Sequence, residues 1–344
     1  MFDERTFTAV SPYLARMQRE VLDWRGLDPP SALVEVRHRP PPPAMPPVPL
    51  VVRLKTSRLR ELIPTRLVVA RAERRGRAIW QQGGDARENA LAVIETIVGD
   101  ERSRAELAEL AQQYLVEVEV ERALFWQRWV RPLKDAASTA NLDQALASGR
   151  GVLVSVCHQG PMGPGHAAIT SPRRTLYSTS APWFFAQPSH DHWGRRLARW
   201  RRELYARNQR ALSSAGAFGV LQLLLEAGEL VLIQFDMPGS RETRFLGKPV
   251  MLTTGTVRLA LRADALVLPM RTRRVAHRVW VDIEAPLDPR DFADDHALHE
   301  ALAAVHERWI LDSPATLEDP RREGAWEAGA TATAWLRPEQ VAQP

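Results

Sequence analysis

This sequence of 344 residues is short of several things, and each shortage excludes something. A single cysteine, Cys157, rules out an intrachain disulfide and a multi-thiolate zinc site. No apolar run approaches the roughly 18 residues of a membrane-spanning helix. The longest runs, Gly151 to Cys157 and Leu230 to Ile233, are strand-sized. The opening Met-Phe-Asp-Glu-Arg has no basic stretch leading into an apolar one, so no signal peptide is expected. The chain is therefore expected to be cytoplasmic, and at most peripheral at the inner membrane face. Neither a G-x-S-x-G elbow nor a Walker loop occurs, which removes two common hydrolase routes. Lysine is scarce too: Lys55, Lys134 and Lys248 are the only three among 46 basic side chains, so arginine dominates. Arginine is the better fork for phosphate and carboxylate, but codon bias in a GC-rich genome explains the same excess, and no partner follows from it.

What is present is ordinary globular material, with 45% hydrophobic and 25% charged residues. That composition excludes disorder and suits one large domain or two smaller ones. Residues 1–56 read as an extension, with a short helical pattern from Tyr13 to Trp24. Seven of the ten positions 40–49 are proline, so that stretch is extended polyproline, a strap on its own domain or a ligand for an aromatic groove. Residues 57–140 read as a helical region packing on the core. Within it 65–82 is a cationic amphipathic helix, and Asn89–Val98 and Glu101–Val130 carry Leu and Ala at three-to-four spacing. The arginines of 65–82 suit an anionic lipid surface or simply a wet face.

From 141 to 314 strands and helices alternate. Strands are expected at Gly151–Cys157, Thr175–Thr179, Glu229–Phe235, Leu266–Arg271 and Val279–Ile283. Helices are expected at Leu142–Ala147, Trp193–Arg207, Ala215–Ala227, Thr256–Arg262 and Ala297–Leu311. Such alternation implies an α/β fold, a mostly parallel sheet sandwiched by helices, behind a helical N-terminal region. Residues 315–344 form a polar tail with Trp326 and Trp335 as anchors.

Two segments hold chemistry. The strand Gly151–Cys157 ends on His158, followed by the glycine-rich Gln159-Gly160-Pro161-Met162-Gly163-Pro164-Gly165-His166. Ligands of open α/β sheets bind beyond the carboxyl ends of strands, where a neutral imidazole can take a proton from a hydroxyl or amine. The glycines run in the reverse of the dinucleotide order, and no acid follows at ribose-binding distance, so this is not a Rossmann loop. Cys157, His158, His166, His190, Asp191 and His192 show no metal-ligand spacing, and no metal is expected. In the second segment, strand Glu229–Phe235 ends on Asp236. A turn, a basic loop with Arg241, Arg244 and Lys248, and a helix start at Thr254-Gly255 follow. Free amides and three cations there suit a phosphate or a carrier's phosphopantetheine, or are a capped helix with solvated arginines.

The order Gly149-Arg150-Gly151-Val152, His158-x-Gly160, Gly228-Glu229-Leu230-Val231-Leu232-Ile233, Phe245-Leu246-Gly247-Lys248-Pro249-Val250 and Leu266-Val267-Leu268-Pro269-Met270-Arg271 resembles the bacterial lipid A acyltransferase family, within the wider lysophospholipid acyltransferase superfamily. The resemblance runs over about residues 60–312 and implies transfer of an acyl group from a thioester donor to a hydroxyl or amine. His158 then matches the catalytic histidine and Asp236 an acidic position at the end of the second strand. Gly160, Arg241, Arg244, Lys248, Thr254, Gly255 and Arg271 fall in the substrate-binding segments. The donor, on acyl-carrier protein or coenzyme A, would be a co-substrate, with no cofactor.

One departure stands out. The family motif places Asp or Glu five positions after the histidine, and here that residue is Gly163. No carboxylate lies between Asp143 and Asp191 at all, so whatever orients His158 comes from elsewhere in the chain, with Asp236 the candidate, or from backbone, or is absent. The missing acid also motivates an alternative, a non-catalytic scaffold binding an acyl chain or an acyl carrier. The arginine-rich stretch Arg195–Arg210 occurs without any nucleic-acid-binding module, and no nucleic acid partner is expected.

Overall fold

The runs Val152–Val156 (β1), Leu230–Gln234 (β4) and Leu266–Val275 (β7) sit side by side in the middle of one sheet. The computed structural model describes residues 62–99, 102–124, 130–169, 175–180, 209–213 and 217–320. The helix expected at Tyr13–Trp24, the proline strap, the helix expected at Trp193–Arg207, and Trp326 and Trp335 lie outside them.

Leu176–Ser180 (β2), Gln209–Ser213 (β3) and Arg278–Ile283 (β8) complete a six-stranded sheet ordered β3-β2-β4-β1-β7-β8. Every pairing is parallel except β7 with β8. The period of two along a strand sends alternate side chains to opposite faces. Val152, Val154 and Val156 pack with Leu230, Leu232, Leu266 and Leu268 on one face. That face is covered by Ala136–Ala147 (α4), through Leu142 and Ala145. Leu153 and Val231 point to the other face, under Phe218–Glu226 (α5) and Gly255–Ala263 (α6). With helices on both faces, the fold is the sandwich expected from the alternation.

A second helical layer precedes the sheet: Thr65–Gln82 (α1), Asp85–Val98 (α2) and Arg104–Leu124 (α3). Ser103 and Glu106 open α3 with reciprocal bonds, main-chain N–H of Ser103 to Glu106 Oε2 at 2.8 Å and main-chain N–H of Glu106 to Ser103 Oγ at 3.3 Å. Ala90, Ile94, Leu107 and Ala111 from this layer share a core with Leu298, Leu302 and Ile310 of Asp295–Asp312 (α7). Asp135 and Asp294 cap α4 and α7 by accepting main-chain N–H bonds at 2.7 and 2.8 Å.

Two local departures from the sequence reading have simple causes. The basic loop after Asp236 is an antiparallel hairpin, Pro238–Phe245 (β5) with Lys248–Leu252 (β6). Its alternation is real, with Thr243, Phe245, Val250 and Leu252 buried, but charged residues at the intervening positions mask it. Ala315 and Leu317, in the segment read as polar tail, are buried in the core shared by α2, α3 and α7.

Helices α1 and α3 meet closely at Gly76, where an added Cβ would lie 2.5 Å from Val116 Cα. Gly76→Ala is therefore expected to lower the thermal midpoint. Overpacking against backbone costs about 1–3 kcal/mol, more than the roughly 1 kcal/mol of helix propensity that alanine adds. An unchanged or raised midpoint on thermal denaturation would refute this contact.

Candidate active site

The site is set by strand register. β1 and β4 run parallel with Val152 opposite Leu230 and Val156 opposite Gln234. The ladder continues past the last named residues, since the main-chain N–H of Phe235 donates to Val156 O at 2.7 Å. The same offset of 78 positions then sets His158 opposite Asp236. Asp236 is 4% exposed and binds His158 twice. Its Oδ2 accepts the main-chain N–H of His158 at 2.8 Å, and its Oδ1 lies 2.9 Å from Nδ1. With Nδ1 committed to the carboxylate, Nε2 is the nitrogen left for a proton from outside, and a quarter of the His158 side chain is exposed.

The turn after His158 is held on both sides. The main-chain N–H of Gly160 donates to Thr316 O, and that of Glu318 donates to His158 O, both at 2.8 Å. Gln159 bridges Leu317 and donates from Nε2 to Trp309 O at 2.9 Å. Gly160 has φ +66, and a Cβ there would lie 2.1 Å from Thr272 O, so only glycine fits. Gly165 abuts the Thr272 side chain in the same way. Gly160 and Gly165 thus serve close packing against β7. A cleft of about 490 Å³ opens beside the turn, lined among others by Gly160, Pro161, Glu318 and, from the helical layer, Ile79, Tyr114 and Glu121.

Electrostatics follow from these placements. Burial pulls the His158 imidazole down, but the charge and hydrogen bond of Asp236, with Glu318 and Glu121 adding to them, outweigh it. The imidazole is raised to about 9. Burial raises the Glu318 carboxyl above its ordinary range; His158 opposes this, while Asp236 and Asp319 reinforce it. Burial and Asp236 push the Cys157 thiol well up, so it is no nucleophile at neutral pH. Two histidines of α7 lie behind the pair. His306 Nε2 is 2.9 Å from Ser155 Oγ, with its ring stacked 5.2 Å from that of Phe235. His299 Nε2 is 2.8 Å from Thr243 Oγ1. Burial lowers both imidazoles to about 4. They are neutral packing groups at physiological pH, and nothing in the sequence pattern singled them out.

The remaining residues singled out from sequence are spread around this centre. Gly160 belongs to the His158 turn, and Arg271, on β7, precedes the Thr272 that packs on it. Arg271 pairs with Asp282 at 2.8 Å and Asp312 at 2.7 Å and lies over the Trp309 ring. Arg241 pairs with Asp295 at 2.9 Å. Lys248 donates to the carbonyl of Thr96 at 2.7 Å and that of Glu95 at 3.3 Å, near the end of α2. Arg244 is exposed on the hairpin. Thr254 holds the N-cap position of α6 without a side-chain bond, and the main-chain N–H of Gly255 donates to Thr253 Oγ1 at 3.2 Å. Sequence reasoning overlooked Glu318 and Glu121, which no spacing relates to His158. Among the described residues no His, Cys, Asp and Glu cluster suits a metal ion, and no helix is long and apolar enough to cross a membrane.

Comparison with known proteins agrees with the motif order. No curated protein matches the sequence. Among solved structures, the 1-acyl-sn-glycerophosphate acyltransferase PlsC from Thermotoga maritima is similar over 64% of this chain and 86% of its own, at 16% identity and a TM-score of 0.37. The sequence profile of the bacterial lipid A biosynthesis acyltransferases matches residues 56–317, from before α1 to the segment that clasps the His158 turn. The chain belongs to that acyltransferase family.

Proposed function

We propose that this acyltransferase moves an acyl group from a thioester donor, on acyl-carrier protein or coenzyme A, to a hydroxyl or amine of a lipid or natural-product acceptor. The observation that supports this reading is the His158–Asp236 pair at the carboxyl ends of two adjacent parallel strands, with a cleft beside the Gly160–Pro161 turn that follows His158. Asp236 holds Nδ1–H, which leaves Nε2 to take the acceptor's proton as its oxygen or nitrogen attacks the thioester carbonyl. The tetrahedral adduct collapses with cleavage of the C–S bond, and the imidazolium returns the proton to the departing thiolate. Acceptor, donor and imidazole balance over the cycle, and no redox partner is needed. A non-catalytic scaffold has no use for a buried carboxylate aimed at an imidazole, which costs several kcal/mol to desolvate.

We assign a peripheral lipid contact to the start of α1. Leu62, Ile63 and Leu67 are exposed, Leu67 by 54%, beside exposed Arg66, Arg71 and Arg74. Apolar side chains among arginines suit an anionic bilayer surface, where the acceptor lipid and the acyl product reside.

His158→Ala is expected to cut turnover with an acyl thioester about 100-fold or more; full activity in that variant sinks the mechanism. The pH profile follows from the raised imidazole. A base works only when neutral, and with a midpoint of about 9 only about 1% of the free enzyme is neutral at pH 7. The rate constant kcat/KM should therefore climb about tenfold per pH unit and level off near pH 9. Asp236→Asn should move that limb to lower pH and depress its plateau. A flat profile between pH 6 and 9 would contradict the assignment. For the lipid contact, Leu67→Asp should reduce co-sedimentation with vesicles containing anionic phospholipid, and wild-type binding should weaken with salt.

A further inference from the structure

Asp236 accounts for one side of His158, and the other side has an unexplained acid. No carboxylate occurs in the chain between Asp143 and Asp191, so the glycine-rich turn supplies none itself. One arrives instead from beyond α7. Pro314, Ala315 and Leu317 are buried and fix this segment against the core. Thr316 O accepts the Gly160 N–H, Leu317 bridges Gln159, and Glu318 N–H donates to His158 O at 2.8 Å. These bonds make a short antiparallel pair whose partner strand is the His158 turn. Glu318 therefore stands directly across from His158 in this pair, and it is among the residues that line the cleft bordered by Gly160.

We infer that Glu318 is a positioning residue of the His158 site, a second carboxylate that stabilises the imidazolium form from the cleft while Asp236 holds the ring from within the sheet. The inference rests on the reading of His158 as base, and it adds a residue that the strand-end pair does not contain. The acids whose charge reaches His158 are Asp236 from the end of β4, Glu318 from the C-terminal segment and Glu121 from α3. Cys157 is buried and neutral, and Asp319, next to Glu318, is buried with partners of its own. Burial of His158 in this company makes each added negative charge count, because screening by water is reduced. Where its own carboxyl, raised by burial and lowered by His158, is ionised, Glu318 acts on the proton affinity of His158 in both directions. It makes the imidazole a stronger base once neutral, and it keeps more of the resting enzyme protonated at neutral pH.

That double effect gives a signature a purely structural residue would not have. Glu318→Gln keeps the side-chain size and the main-chain bond to His158 O but removes the charge. In the substrate-free protein, the His158 ring titration followed by NMR, with the resonance identified by its loss in His158→Ala, should fall by about one pH unit. Glu318→Ala should shift it in the same direction, and Glu318→Asp, which retains the charge, should return most of the shift. The pH–rate profiles of wild type and Glu318→Gln should then cross, the variant being faster near pH 7 and slower on the plateau above pH 9. An unchanged His158 midpoint in both Glu318→Gln and Glu318→Ala overturns the inference, as does a loss of activity equal at every pH. The base assignment fails separately, through an active His158→Ala, because the ring titration is read without substrate or turnover.

Discussion

The parallel register between β1 and β4 is the constraint from which the rest of the site follows. Hydrogen bonds along that ladder pair residues 78 apart, from Val152 with Leu230 onwards, and the next positions after the strands inherit the alignment. His158 and Asp236 meet because both strands end at the same level. A slip of one residue would place the buried carboxylate opposite Cys157 or Gln159 instead of His158 and turn every strand side chain to the wrong face. The packing of Leu153 and Val231 on one face, and of Val152, Val154, Leu230 and Leu232 on the other, therefore holds the chemistry in place through ordinary hydrophobic burial.

Around this pair the protein builds a closed support. Asp236 is buried, and its carboxyl oxygens are satisfied by the main chain and the ring of His158. Phe235 and His306 stack beneath it, with His306 bonded to Ser155 of β1, so α7 is keyed to the strand that carries the histidine. The segment after α7 then returns to clasp the turn at Gly160 and His158. Each of these contacts joins elements far apart in the chain. The position five places after His158 is Gly163, so no acid comes from the turn itself, and the turn rests on Thr272 through Gly160 and Gly165.

Much of the core was legible in sequence. Uninterrupted apolar runs marked β1 and β4 to within about a residue, and the three-to-four spacing marked α2, α5 and α7. His158 and Asp236 were visible as the titratable residues that end those runs. The hairpin β5–β6 was read as a loop because Arg241, Glu242, Arg244 and Lys248 interrupt its apolar alternation, although its inward positions are buried. β3 was not anticipated, since Gln209-Arg-Ala-Leu-Ser is polar and finds its place only by pairing with β2. Arg241 and Lys248 read in sequence as cations for a phosphate or as solvated, and Arg271 as part of a substrate-binding segment; the structure shows each engaged with acids or helix carbonyls of distant elements.

The sequence by itself determined the fold class, the two strand ends and the absence of a local acid, because periodicity, strand length and the spacing of charges are properties of the chain read in order. Only the tertiary structure decided that His158 and Asp236 touch, and that the segment around Thr316, Leu317 and Glu318 pairs with the His158 turn. Those outcomes depend on strand order, register and the return path after α7. They are set by which hydrophobic faces bury against one another, and local sequence does not encode that.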